Sequence, residues 1–118
     1  MLLNLPTEKL SLNEIKQRVK SIFSQYDIKK AYIYGSYVNG NFDFTSDYDL
    51  LLDGFYGKGQ PFIGHKASLR ELQRKLEKAL NREVDIILLS NLMSPSTNKL
   101  DEEFKQNVKR DMVLIYGE

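Results

Sequence analysis

Apolar positions recur along this chain with two periods, one helical and one strand-like. Beyond Ser11, the residues Leu12, Ile15, Val19, Ile22, Phe23 and Tyr26 share one side of a 3.6-residue repeat, which predicts an amphipathic helix of about four turns. Ser11 followed by Glu14 supplies a capping box at its start. Residues 30–34 (KAYIY) are β-branched and aromatic and predict a strand that ends at Gly35. Ser36 to Asn39 has room for one helical turn, with Gly40 placed to end it in a left-handed conformation. Asp47 to Asp53 reads as a second strand, and residues 66–80 return to the helical period, with Leu69, Leu72, Leu76, Ala79 and Leu80 on the inner face and Asn81 as the stop. Residues 84–89 (VDIILL) are continuously apolar except for Asp85, the pattern of a strand covered on both faces. The stretch SNLMSPSTN reads as a loop, Leu100, Phe104 and Val108 mark a last helix, and residues 112–116 (MVLIY) a short terminal strand.

Connection lengths turn this order into a topology. The short link between the first two strands favours an antiparallel pair, whereas residues 54–83 contain a helix and are long enough for a right-handed crossover between parallel strands. Asp47, Asp49 and Asp85 then start neighbouring parallel strands, at the sheet end where Gly35 and Ser36 arrive. The expected fold is α/β (α+β): a small mixed β-sheet packed against about four helices, in one domain spanning residues 1–118.

Composition narrows the function. At 118 residues the chain has the size of one domain, and 42% hydrophobic with 28% charged residues is ordinary globular usage. A formal charge of +1 argues against a coat for nucleic acid and favours a small ligand or a protein partner. The absence of cysteine excludes disulfides and thiolate metal sites and makes a reducing cytoplasm the natural compartment. MLLNLPTEKL lacks the basic region of a signal peptide, and no apolar run is long enough to span a membrane.

The chemistry concentrates between Gly35 and Asp53. Asp47 and Asp49 lie two apart in a strand and project from one face, where adjacent carboxylates repel unless a cation lies between them. With Asp85 they form a candidate site for one or two Mg²⁺ ions in a displacement at phosphorus. Asp49 and Asp47 would bridge the ions, and Asp85 would hold the ion that activates the acceptor hydroxyl or take its proton. Gly35 allows the backbone to approach phosphates, and Ser36 with the amides that follow would hold them. Asp43, in a loop, and Asp53, at the far end of its strand, read as non-ligands. The glycine-rich stretch Gly54–Gly64 fails as a P-loop, since Gln60 and Pro61 stand where Lys and Ser/Thr are required. Lys58, His65, Lys66 and Arg70 are further candidates for phosphate contact, against the plainer reading of a solvated face. Tyr34, Tyr37, Phe42 and Phe44 flank the site and are candidates for stacking on a base, although aromatics beside strands more often belong to the core.

Gly35-Ser36, ten residues, then Asp47-x-Asp49, with Gly40 and Ser46 in place and Asp85 on a later apolar strand, resembles the nucleotidyltransferase superfamily of the DNA polymerase β type. It is most similar to the minimal nucleotidyltransferase (MNT) antitoxins encoded with HEPN toxins, over nearly the whole chain. The resemblance implies transfer of a nucleoside monophosphate, usually AMP from ATP, to a hydroxyl with release of pyrophosphate. It further implies that the acceptor is a tyrosine of a partner HEPN ribonuclease, which is thereby silenced. Many members carry arginines after the Gly-Ser, as in GSRARG, whereas Tyr37 and Asn39 occupy those places here. Any contact those arginines make must come from elsewhere or be absent. That departure leaves room for a non-enzymatic antitoxin that neutralises its partner by occlusion. An antibiotic-modifying enzyme is disfavoured because such enzymes usually add a helical domain.

Overall fold

The computed structural model describes residues 9–26, 28–43, 45–54 and 66–117. Helix α1 (Leu12–Ser24) starts at Ser11, whose hydroxyl accepts a hydrogen bond from the Glu14 amide at 3.1 Å. Its Ile15, Val19 and Phe23 are fully buried. Strand β1 (Lys30–Tyr34) runs into the single turn α2 (Ser36–Asn39), which Gly40 closes with a left-handed φ of 92°. Strand β2 (Tyr48–Asp53) is followed by helix α3 (Lys66–Leu80), which stops at Asn81, a residue with φ 57°. Strand β3 (Val84–Leu88), the turn α4 (Leu89–Leu92), helix α5 (Lys99–Asp111) and strand β4 (Val113–Tyr116) complete the order.

The four strands form one sheet in the order β3-β2-β1-β4. β1 pairs antiparallel with β2 and β2 parallel with β3, as the connection lengths predict, and β4 adds an antiparallel partner on the other side of β1. Strand alternation then divides the side chains between two faces. Ala31, Ile33, Tyr48, Leu50, Leu52 and Val84 pack with α1 and α3 in the main core, joined by Leu72, Leu76 and Leu80. Tyr34 and Leu51 take the opposite face, where they form a smaller cluster with Leu92 of α4 and Val108 of α5. No described helix is long and apolar enough to cross a membrane.

Three sequence expectations change. Residues 89–92, assigned by pattern to a strand end and a loop, form a helical turn because Leu92 is drawn into the smaller cluster. β3 is not covered on both faces: it is an edge strand, with Val84 buried, Asp85 exposed and Ile86 to Leu88 half-buried. Its apolar run reflects one dry face and one face that borders an open cavity. In α5 only Val108 of the three marker residues is buried, while Leu100 is 78% and Phe104 46% exposed. The helix instead buries Lys105, whose Nζ donates to the Ser94 carbonyl at 2.7 Å and pairs with Asp101 at 3.2 Å, tying α5 to the segment before it.

Candidate active site

The site begins with a close approach that only glycine permits. Gly35 sits at the end of β1 with φ 77°, a conformation that L side chains rarely adopt, and a Cβ there would collide with Oδ2 of Asp49. Register places Tyr34 opposite Asp49 across the antiparallel pair, and Asp49 beside Asp85 across the parallel pair. Two carboxylates from adjacent strands thus face the side of the sheet that α5 covers only in part.

A cavity of about 540 Å³ opens there. Its sheet wall includes Tyr34, Gly35, Asp49, Asp85 and Ile87, α2 contributes Asn39, and α5 contributes Phe104, Asn107, Val108, Arg110 and Asp111. Of the residues singled out in the sequence, Gly35, Asp49 and Asp85 are brought together in this wall. Asp47 precedes the strand, half-buried, and neither it nor Ser36 lines the cavity. Asp43 turns back on its own loop, accepting from the Thr45 hydroxyl at 2.7 Å and the Thr45 amide at 2.8 Å, and these hydrogen bonds hold its carboxyl below the usual range. Asp53 pairs with Lys30 at the opposite end of the strands.

Electrostatics follow from burial and crowding. Burial pushes the Asp49 carboxyl up to about 6, and the charges of Asp85 and Asp47 add to the effect. Asp47 is also raised, by burial and then Asp85, against the opposing charge of Arg82. Burial raises the Tyr34 phenol as well, with Asp49 and Asp85 contributing, so it remains a proton donor at neutral pH. A divalent cation relieves this kind of repulsion, and the hard oxygen donors suit Mg²⁺. Among the described residues no group of three or more His, Cys, Asp or Glu side chains is gathered to surround an ion. The donors that fit are therefore the Asp49/Asp85 pair, with Asp47 close enough to be felt electrostatically.

The aromatic expectations separate. Tyr34 lines the cavity, 6.3 Å edge-to-face from Phe104. Tyr37 and Phe42 do not: they pack on Tyr48 at the margin of the main core, and the Tyr37 hydroxyl donates to the Leu10 carbonyl. Both rings are half-buried against that core and lie outside the wall that holds Asp49 and Asp85. Arg70 lies on the exposed face of α3, and Lys58, Phe44, His65, the glycine-rich stretch after Gly54 and the Lys66 side chain fall outside the described residues.

Sequence reasoning missed Arg82 and the α5 wall. Arg82, 7% exposed, stacks on Phe42 at 4.4 Å and donates from Nη1 to the carbonyls of Asp43 and Ser46, both at 2.8 Å. It thereby anchors the loop that delivers Asp47 and Asp49. An isolated arginine after a helix carries no sequence signal of this kind. For α5 a signal existed: Asn107, Arg110 and Asp111 recur at helical spacing with Phe104, but a polar helix face reads as solvated.

Known proteins resemble this chain in sequence and in fold. The chain is 31% identical over 83 residues to MJ0435 of Methanocaldococcus jannaschii, a protein adenylyltransferase candidate, covering 70% of this chain and 83% of that one. A second candidate of the same name from that organism, MJ0126, is 32% identical over 97 residues, covering 79% and 93%. The fold superposes with a TM-score of 0.60 on a solved complex of a tri-AMPylated Shewanella oneidensis HEPN toxin with its MNT antitoxin, at 19% identity, covering 92% of this chain and 74% of the matched one. The family model for polymerase beta nucleotidyltransferases matches residues 17–118, from within α1 through β4. That match takes in most of the chain, including Gly35 and all four strands, and the chain belongs to the polymerase beta nucleotidyltransferase family.

Proposed function

We propose that this protein is a cytoplasmic antitoxin that transfers AMP from ATP, with Mg²⁺, to a tyrosine of a partner HEPN toxin. The observation that carries this reading is the Asp49/Asp85 pair at one cavity beside Gly35. The names of the M. jannaschii relatives and the AMPylated toxin in the S. oneidensis complex support the choice of protein acceptor.

In this reading the acceptor oxygen attacks the α-phosphorus of ATP. A new P–O bond forms as the bond to the bridging oxygen of the β-phosphate breaks, and pyrophosphate leaves. Asp85, exposed at the sheet edge, accepts the hydroxyl proton or orients the hydroxyl. Asp49 and Asp85 would hold Mg²⁺, with Asp47 adding its charge from beside the cavity, and the ion when bound would offset the charge that develops on the phosphates. Gly35, in the cavity wall, keeps the backbone low enough for the phosphates to pass.

Incubation of the protein with ATP, Mg²⁺ and a HEPN toxin should add adenylyl groups to the toxin, seen by intact-mass spectrometry, and Asp49→Asn should abolish the addition. An unchanged toxin mass with the wild-type protein would defeat the enzymatic reading. Retained inhibition of the toxin in that case would point to neutralisation by occlusion.

A further inference from the structure

The cavity wall carries a surplus of negative charge for a site that must admit a polyanion. Asp49, Asp85 and Asp111 all line it, and Arg110 is the one cation among the described residues that do so. Positions 37 and 39 cannot correct the imbalance. Tyr37 is committed to the main core, and Asn39, which does line the cavity, is neutral, with its Oδ1 accepting the Asn41 amide at 3.1 Å.

Topology brings Arg110 to the phosphate end. β4 starts at Val113, paired with Ile33 and so two residues short of Gly35 along β1. The last turn of α5 therefore arrives at the sheet end that holds Gly35, Asp49 and Asp85. The Arg110 side chain is 69% exposed and bound through Nε and Nη2 to Asp111 at 2.9 and 3.2 Å. That contact orients the guanidinium while leaving Nη1 and one Nη2 hydrogen for another acceptor, and a planar fork of donors is well matched to phosphate oxygens.

We infer that Arg110 receives the phosphate tail of the nucleoside triphosphate, from α5. The inference rests on the nucleotidyl-transfer reading and adds a binding residue to it. Asp111 acts as a positioning residue for the guanidinium.

The test is calorimetric titration of ATP and of AMP, each with Mg²⁺, into the full chain and into Arg110→Ala and Arg110→Lys. Truncation of one charge-assisted contact at an exposed position should weaken ATP about ten-fold or more. AMP, which lacks the tail, should be affected much less, and lysine should restore part of the ATP affinity. Because Arg110 is exposed, the variants should melt like the wild type. Wild-type ATP affinity in Arg110→Ala would overturn the assignment, as would equal losses for ATP and AMP, which would indicate a local distortion. Failure of the wild-type protein itself to bind ATP would defeat the nucleotidyl-transfer reading and the inference together.

Discussion

The two faces of the sheet are built from the same strands and do opposite work. In β2, Tyr48, Leu50 and Leu52 turn towards α1 and α3 and are fully buried, while Asp49 turns the other way, with Leu51, towards α4 and α5. The first face is closed by two amphipathic helices. Among the described residues the second is closed by Leu92 and Val108, with Leu89 and Met112 packed beside them, and the cavity with its carboxylates opens next to that cluster. The difference separates stability from chemistry by residue parity: adjacent positions in one strand answer to different constraints.

Substitutions in the dry face should test this most severely. Leu50→Ala should cost about 2–5 kcal/mol, near the upper end because Leu50 is wedged among side chains of α1 and α3 that cannot collapse into the space. Leu51→Ala removes an equally buried leucine from the smaller cluster, which can relax towards the adjoining cavity, and should cost about 2 kcal/mol. Denaturant unfolding of both variants measures the gap. Equal costs would mean that the second face is as tightly packed as the first.

Gly35→Ala should invert the pattern, with a modest loss of stability and a large loss of function. The new Cβ meets the Asp49 carboxylate and the φ of 77° strains any L side chain. A displacement of about 1 Å in a reacting group costs roughly one hundred-fold in rate. Adenylyl transfer by a still-folded variant, timed by mass spectrometry, would show it. A rate within a few-fold of wild type would uncouple Gly35 from the carboxylates.

The dry face was the more legible of the two in the sequence. Helical periods identified Ile15, Val19, Phe23, Leu72 and Leu76 as core, and connection lengths were enough to predict the β1–β2 and β2–β3 pairings. Gly35, Asp49 and Asp85 were legible as neighbours because strand direction and glycine geometry act locally. The second face was not, for a physical reason: periodicity reports which residues are apolar, not whether anything covers them. Leu100 and Phe104 therefore read as core and are exposed, and the run in β3 read as covered although it edges a cavity. The place of Arg82 depends on the tertiary positions of Asp43 and Ser46, and that of Arg110 on the register of β4, which no local pattern encodes.

A smaller effect should come from charge alone. The Asp49 carboxyl is raised to about 6, so the folded protein without metal holds that proton more tightly than the unfolded chain does. Its ionisation opposes folding: the penalty is absent below the ordinary carboxylate range, grows as pH rises towards 6, and is complete above it. After allowance for solvent screening of this half-buried group, Asp49→Asn should stabilise the metal-free protein by about 1 kcal/mol at pH 7 and by nothing near pH 4. Thermal melts of both proteins from pH 4 to 8 would display a gap that opens with pH. Addition of Mg²⁺ at pH 7 should stabilise the wild type and reduce the gap, since a ligand that binds only the folded state raises its stability. A gap that does not vary with pH would show that Asp49 is not electrostatically burdened.

The least expected change is at Phe104, the largest apolar side chain of the α5 wall. In a closed core, removal of a phenylalanine costs about 3–5 kcal/mol. Phe104 is 46% exposed and its ring contact is the edge-to-face pair with Tyr34 at 6.3 Å, an arrangement worth about 0.5–1.5 kcal/mol. Phe104→Ala should therefore lower stability by only about 1 kcal/mol in denaturant unfolding, despite the position matching the apolar period of its helix. The pairing partner offers the sharper readout. Tyr34 would lose the ring beside it, and ultraviolet difference spectra should report a more polar tyrosine in the variant. A loss of 3 kcal/mol or more would mean that α5 closes this face as α1 and α3 close the other, and that the division between a dry face and an open one is wrong.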